Sequence, residues 1–325
     1  MRYPILPGLR ALDSKSHLFV DDPVSGNLIL VDDEGKLIKQ INRKGNEPDS
    51  YSEITAFQIS NDKAITVYDF QRQNFLYFSP AGGSLTTRKM PYNFRNFIFY
   101  KDYLFLFTAK HRNVVNHQTL SYDVLIVKND TLVDHYFRFN PDHYTGLRIH
   151  TQKPFFKWRE GIIFSDIFRD TIYYFESRLP RPVYRFVYRN KPLPSGYYEN
   201  GHEELLQKML HDKHTIKPYD FGAYVIGIND RVILYNYIHN GTKYFSVFNL
   251  RDRSSRNFTF NTDDADINRL LMPFYSCGDE FVTVVPKYVI EKVLDNSNHN
   301  KIDGLRLKLQ YLQDAEHPVI VKYAF

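Results

Sequence analysis

Ile54-Thr55-Ala56-Phe57-Gln58-Ile59, Ala64-Ile65-Thr66-Val67-Tyr68-Asp69, Asn74-Phe75-Leu76-Tyr77-Phe78-Ser79 and Ser84-Leu85-Thr86-Thr87-Arg88-Lys89 follow one another before Met90. Each run has strand length and is rich in aromatic and β-branched residues, which fit a pleated, half-buried surface. Short spacers such as Asn61-Asp62 and Gly82-Gly83 are turn formers. Four strands joined by short turns make one antiparallel sheet of the kind used as a propeller blade.

The same phrase recurs on both sides. Upstream it reads Leu18-Phe19-Val20-Asp21-Asp22, Asn27-Leu28-Ile29-Leu30-Val31-Asp32 and Lys36-Leu37-Ile38-Lys39-Gln40-Ile41. Downstream a third unit runs from Phe97 to Phe139, a fourth from Phe155 to Val187 and a fifth from Ala223 to Phe260. A sixth opens at Leu271 to Tyr275 and Phe281 to Val285, and finishes at Pro318 to Tyr323. The period of roughly 40–60 residues is that of propeller blades. The pattern therefore predicts an all-β, six-bladed β-propeller of four-stranded antiparallel blades, residues 1–325 forming a single domain. Residues near Met1 and the apolar run Pro318 to Phe325 are candidates to close the last blade. Two stretches break the pattern. Glu199 to Lys213 spaces Leu205, Leu206, Met209 and Leu210 as a helix does, predicting a helical insertion before blade 5. Tyr288 to Leu312 predicts another within the last blade.

Composition excludes several classes. The chain has 325 residues and a formal net charge of +5, with its Lys and Arg scattered rather than gathered into a stripe. Nucleic-acid binders concentrate basic charge, so no nucleic-acid partner is expected. A single cysteine, Cys277, precludes an intramolecular disulfide and reads as a small buried residue. No apolar run approaches the ~18 residues of a transmembrane helix. Met1-Arg2-Tyr3-Pro4-Ile5-Leu6-Pro7-Gly8 lacks the apolar core of a signal peptide.

Val31-Asp32-Asp33-Glu34-Gly35-Lys36, then Lys44-Gly45-Asn46-Glu47-Pro48-Asp49-Ser50-Tyr51, then Ile54-Thr55-Ala56-Phe57 form a connected phrase. It resembles the six-bladed β-propeller proteins common in Bacteroidetes, which share the NHL- and TolB-like propeller architecture. Glu316-His317-Pro318-Val319-Ile320-Val321-Lys322-Tyr323 is similar to that family's closing strand, and the helix before the fifth blade is similar too. The phrase departs where Glu47 and Asp49 replace loop glycines and Ser50 replaces a loop Glu. The resemblance implies the fold, and an exported or cell-envelope lipoprotein whose N-terminal signal is missing here.

Candidate chemistry is sparse. Asp22, Asp69 and Asp166 end second strands at matching positions, either as a ring of ligand-binding carboxylates or as holders of turns. His202-Glu203-Glu204-Leu205-Leu206 fails the zincin pattern at its fifth position. His211 and His214 lack a third ligand. Asn261-Thr262-Asp263-Asp264-Ala265-Asp266 lacks the Gly and Glu of a calcium loop. No metal or cofactor is expected. Trp158 reads as core.

The remaining argument is geometric. In propellers the loops from the outer strand of one blade to the inner strand of the next line the channel mouth, and loops on rigid scaffolds carry function. Here they hold Arg43, Tyr51, Tyr92, Arg95, Arg148, His150, Lys153, Tyr219, Asp220, Asn268 and Arg269. Tyrosine faces stack on sugar rings, and Arg forks grip carboxylates. The expected function is a non-enzymatic propeller that binds a glycan or peptide ligand, or a partner protein, at the channel mouth. The alternative is a hydrolase or lyase acting there, and a purely structural subunit is a third class.

Overall fold

The computed structural model describes residues 8–9, 17–22, 26–32, 37–60, 64–79, 83–143, 151, 153–188, 191–192, 218–240, 242–258, 275–277, 280–285 and 319–323. The chain divides into two compact units, one of residues 1–43 with 259–325 and one of residues 44–258. The architecture is all-β, built of antiparallel meanders with almost no helix among the described residues, and is consistent with a propeller.

In the first unit, sheet I consists of Gly8–Leu9, His17–Asp22, Asn27–Asp32 and Leu37–Asn42 in chain order. Sheet VI has three described strands, Tyr275–Cys277, Glu280–Val285 and Val319–Tyr323. Val319–Tyr323 pairs antiparallel with Glu280–Val285, as the terminal run suggested. Gly8–Leu9 instead pairs with His17–Asp22, so it belongs to the first sheet rather than the last.

The second unit holds four sheets. Sheet II consists of Ala56–Ile59, Ile65–Asp69, Asn74–Phe78 and Ser84–Lys89. Sheet III consists of Asn96–Tyr100, Tyr103–Phe107, Tyr122–Lys128 and Thr131–Arg138. Its second connection carries a hairpin, Asn113–Val115 with Gln118–Leu120, that the repeat pattern does not reveal. Sheet IV consists of Phe155–Trp158, Gly161–Phe164, Thr171–Phe175 and Pro180–Arg185. Sheet V consists of Tyr219–Ile228, Val232–His239, Thr242–Asn249 and Ser255–Phe258, with Lys191–Pro192 added in parallel beside its first strand. The only described helix is one turn at Pro141–His143. Both expected helical insertions, 199–213 and 288–312, lie outside the described residues.

Side-chain alternation explains why these sheets stack within the second unit. Successive residues of a strand face opposite sides. In Tyr103–Phe107, Leu104 and Leu106 pack with Tyr68, Phe75 and Ala56 of sheet II. Phe105 and Phe107 point the other way and pack with Phe155, Ile162, Phe164 and Phe175 of sheet IV. Sheet IV repeats the device, with Phe156, Trp158, Ile163 and Ile172 facing Val225, Ile228 and Ile233 of sheet V. A strand buried on both faces reads as a continuous apolar run, which is what Tyr-Leu-Phe-Leu-Phe is. Each such aromatic contributes roughly 1.5–3 kcal/mol on burial. Trp158 is core, and its indole N–H donates to the Asn229 carbonyl at 3.1 Å.

Tight turns set the register. Asn116-His117 and Asn129-Asp130 are two-residue connections with positive φ at both positions, at 49° and 64° and at 47° and 64°. Such turns match the twist of paired strands, and Asn and Asp tolerate them. Within the second unit, antiparallel pairing in chain order brings the outer-to-inner connections between sheets and the connections from second to third strand to the same end, the loop face.

Candidate functional site

Aspartates at second-strand ends organise the loop face. Asp69 is fully buried and accepts the Ser52 N–H at 2.6 Å, the Ser52 hydroxyl at 2.8 Å and the Arg72 N–H at 3.2 Å. Arg72 then donates to the carbonyls of Gly45, at 2.6 Å, and Ser50, at 2.8 Å. The departing loop of the sequence phrase is thus tied from below by one arginine. Asp166 is likewise fully buried and accepts the Thr151 hydroxyl at 3.0 Å, while Thr151 Oγ1 accepts the Ile167 N–H at 2.9 Å. These two aspartates hold turns. The side chain of Asp22 lies outside the described residues.

Between sheets III and IV the same face carries a buried ion cluster. After Tyr103–Phe107 the chain turns through Ala109 and Lys110, both left-handed at φ 50° and 64°. Non-glycine residues pay for that conformation, and such strain gathers at functional sites. Here two hydrogen bonds from Thr108 offset it, its N–H donating to Asp123 O at 2.8 Å and its hydroxyl donating to Tyr122 O at 2.7 Å. The turn sends Lys110 Nζ onto the fully buried Asp123 carboxylate, which also accepts Arg169 Nη2 at 2.8 Å. The Arg169 guanidinium lies 4.5 Å over the Phe137 ring, and Phe137, itself left-handed at φ 66°, stacks on Phe164 at 5.0 Å. Asp123 Oδ1, Asp166 Oδ2 and Arg169 Nε are buried and meet no protein hydrogen-bond partner. Buried polar atoms in native proteins are nearly always satisfied, by protein or by ordered water.

Electrostatics divide the two carboxyl groups. Burial pushes the Asp166 carboxyl above the usual carboxylate range; Lys110 opposes the shift and Asp123 adds to it. Burial works against the charge on Arg169, yet the adjacent Asp123 carboxylate outweighs it and raises the guanidinium further. The sign for stability follows. A carboxyl with a raised folded pKa favours the folded state below its ordinary pKa of ~3.9 and loses that contribution as pH rises through the folded value. Asp166→Asn keeps an oxygen for Thr151 and never ionises. Its melting temperature relative to wild type is therefore expected to climb as pH rises above about 4. An unchanged difference across that range contradicts the assignment.

The cluster borders a cleft of about 1600 Å³ walled by sheets III and IV. Lys110, Arg138, Arg169 and Arg185 line it, against Asp170 among the lining residues and Asp123 behind them. Four cations thus meet two carboxylates. Arg185 Nε is held by Asp170 Oδ2 at 2.8 Å, while Arg138 is exposed. Tyr122, Tyr173 and Tyr188 add aromatic faces, and His135 lies 4.0 Å from the Tyr122 ring.

The candidates from sequence fare unevenly. Tyr51 and Tyr92 are buried, at 0% and 3% exposure, and present no face to the loop side. Arg95 is half-buried, 3.6 Å over the Phe70 ring, with its Nε donating to His111 Nε2 at 3.2 Å. Lys153 Nζ lies 5.0 Å over Phe156, and Tyr219 lies under Lys191 Nζ at 5.5 Å. Asp220 is buried against His239 Nδ1 at 2.8 Å. Arg43 is exposed in the first unit. Arg148, His150, Asn268 and Arg269 lie outside the described residues, as do residues 202–206, His211, His214 and the acidic loop 261–266. None of the described candidates lines the 1600 Å³ cleft. Its cations come from second-to-third strand turns and outer-strand ends instead. Among the described residues no group of three or more His, Cys, Asp or Glu is placed to hold a metal, and no helix is long and apolar enough to cross a membrane.

Comparison with known proteins gives a family and a fold. A family model described as "Domain of unknown function (DUF4934)" matches residues 11–324. No curated protein matches the chain. A structure from Bacteroides fragilis, described as an exported protein, superposes with a TM-score of 0.75 at 16% identity, covering 100% of this chain and 93% of its own. A member of the DUF4221 family from Bacteroides vulgatus gives 0.54 at 11% identity, covering 87% and 88%. Virginiamycin B lyase from Staphylococcus aureus gives 0.45 at 9% identity, covering 85% and 90%. The two Bacteroides structures show a shared fold.

Proposed function

We propose that this chain, which belongs to the DUF4934 family, is a binding protein that holds an acidic glycan in the cleft between sheets III and IV. In this reading the six sheets are the six blades of a single propeller domain, and the protein works outside the cytoplasm, like the exported relative. The observation that carries the reading is the excess of Lys and Arg over carboxylates on walls that also present tyrosine rings. Arginine forks suit the planar carboxylates of uronic acids, and aromatic faces suit the rings that bear them. The cleft is larger than the ~300–1,000 Å³ typical of small-molecule sites, which fits an extended chain better than a single metabolite.

The test is titration calorimetry with oligogalacturonate, a heparin-type oligosaccharide and oligoglutamate. Oligosaccharide binding is expected to weaken about tenfold for each of Arg138→Ala and Arg185→Ala, since a charge-assisted hydrogen bond contributes ~1.5–3 kcal/mol. It is also expected to weaken as salt approaches ~0.15 M. Binding of oligoglutamate alone would move the ligand to an acidic peptide. Shortened or unsaturated products after incubation would move the function to a hydrolase or lyase. No binding by any anionic probe, or variants that bind as wild type does, would sink the cleft as a site.

A further inference from the structure

A second cavity opens between sheets IV and V, on the far side of the segment Arg185–Tyr188, which lines both cavities. Its volume is about 510 Å³. Below it the two sheets are sealed by Trp158, Ile172, Val225 and Ile233. Toward the loop face this apolar seal gives way to tyrosine. Tyr235, Tyr237 and His239 share one side of Val232–His239, at spacing two. Tyr237 stands directly across from Tyr244, with rings 5.5 Å apart and 19° from parallel, and Tyr235 continues the row at 6.1 Å and 29°. The result is a half-exposed aromatic strip, with Phe186 of the opposite wall 5.1 Å from Tyr235.

Polar groups stand at the edges of the strip. Ser246 lies across from Tyr235 and donates to Asn257 Oδ1 at 2.6 Å, and Asn257 also lines the cavity. At the other end the buried Asp220 carboxylate takes His239 Nδ1 at 2.8 Å, and His239 Nε2 meets Asn240 Nδ2 at 3.1 Å. Together these contacts fix the imidazole orientation. Burial pushes the Tyr188 phenol above its ordinary range, so that side chain keeps its proton at neutral pH. Arg185 is the cation on this wall, and its Nε is held by Asp170 Oδ2 at 2.8 Å. Asp220 already faces His239, so the pocket is poorly suited to an ammonium ligand. The strip is tyrosine rather than leucine or valine, and its rim is amide, hydroxyl and imidazole, so it is poorly suited to a lipid. Flat aromatic faces with hydrogen-bonding groups at their edges match the two sides of an uncharged sugar ring, its apolar C–H face and its equatorial hydroxyls.

We infer that the cavity between sheets IV and V is a stacking subsite for an uncharged pyranose, with Tyr237 and Tyr244 as the platform and the Asp220–His239 pair at its edge. The subsite stands on its own geometry. Its placement on one ligand with the basic cleft rests on the function proposed above, because Arg185–Tyr188 is the common wall. A single heteroglycan with neutral and acidic residues would then span both cavities.

The probes are neutral hexasaccharides of glucose, mannose, galactose and xylose, titrated into the full chain. At least one is expected to bind, and Tyr237→Ala and Tyr244→Ala are each expected to weaken it by about tenfold. Tyr237→Phe, which keeps the ring, is expected to retain most of the affinity, and Arg138→Ala to leave it unchanged. Saturation-transfer NMR on the wild-type protein needs no variant: irradiating aromatic protons is expected to label the ring C–H protons of the bound sugar. Failure of every neutral probe, or binding indifferent to both tyrosines, overturns the subsite. Loss of the acidic probe alone on Arg138→Ala, with neutral binding intact, would leave the subsite standing and test only the cleft.

Discussion

Replacing Asp123 with alanine is expected to cost about 3–5 kcal/mol of folding stability, the usual consequence of stranding a buried charge. Asp123 is fully buried and is the shared partner of Lys110 and Arg169. Lys110 is 5% exposed, so its ammonium has little water to fall back on. Asp166 stands nearby, but its own burial already disfavours its charged form. The loss is a large fraction of the stability of a typical domain, about 5–15 kcal/mol. Urea unfolding followed by circular dichroism measures it. Adding Lys110→Met to Asp123→Ala removes the stranded ammonium, and the double variant is expected to recover a substantial part of the loss. A cost below about 1 kcal/mol for Asp123→Ala would mean that water reaches the cluster and that the pairing is that of an ordinary surface.

Gly161→Ala is expected to destabilise by about 1–3 kcal/mol, and more if the backbone cannot shift, as overpacking does. Gly161 stands opposite Trp158 in the hairpin that opens sheet IV. An added Cβ would lie 2.5 Å from the Phe175 carbonyl oxygen and 2.5 Å from the Tyr174 ring. The tyrosine ring can swing, but it meets Trp158 edge-on at 5.7 Å and carries the Arg181 guanidinium at 4.9 Å. The carbonyl belongs to a paired strand and cannot move alone. Thermal unfolding reads the effect. A melting temperature equal to that of wild type would show that the hairpin and the third strand of sheet IV are more loosely joined than described.

The sheets were legible because burial on both faces leaves an unmistakable trace. Tyr-Leu-Phe-Leu-Phe at 103–107 and Gly-Ile-Ile-Phe at 161–164 show no polar alternation, and both lie between two neighbours. The turn-holding reading of Asp69 and Asp166 was legible for the same reason, since a residue repeated at equivalent strand ends does the same local work in each. The hairpin at 113–120 was hidden, because Asn113–Val115 and Gln118–Leu120 are three-residue strands with one apolar residue or two apiece.

The proposed binding surface was mostly illegible. Attention to outer-to-inner loops selected Tyr51 and Tyr92, whose hydrophobic bodies the core absorbs. Nothing in the local sequence marks Lys110, because it is a left-handed turn that sends it onto Asp123. The pairing of Asp123 with Arg169 spans two sheets and 46 residues, a separation that carries no local pattern. Asp220 was selected, but its partner His239 sits on the adjacent strand, and only the register places them together.

The most direct measurement is a crystal structure of the full chain grown with oligogalacturonate. The expected result is electron density for uronate rings between sheets III and IV, with a carboxylate within hydrogen-bond distance of Arg138 or Arg185 and a ring against Tyr122 or Tyr173. Well-ordered ligand bound elsewhere, with that cleft holding none, would contradict the account.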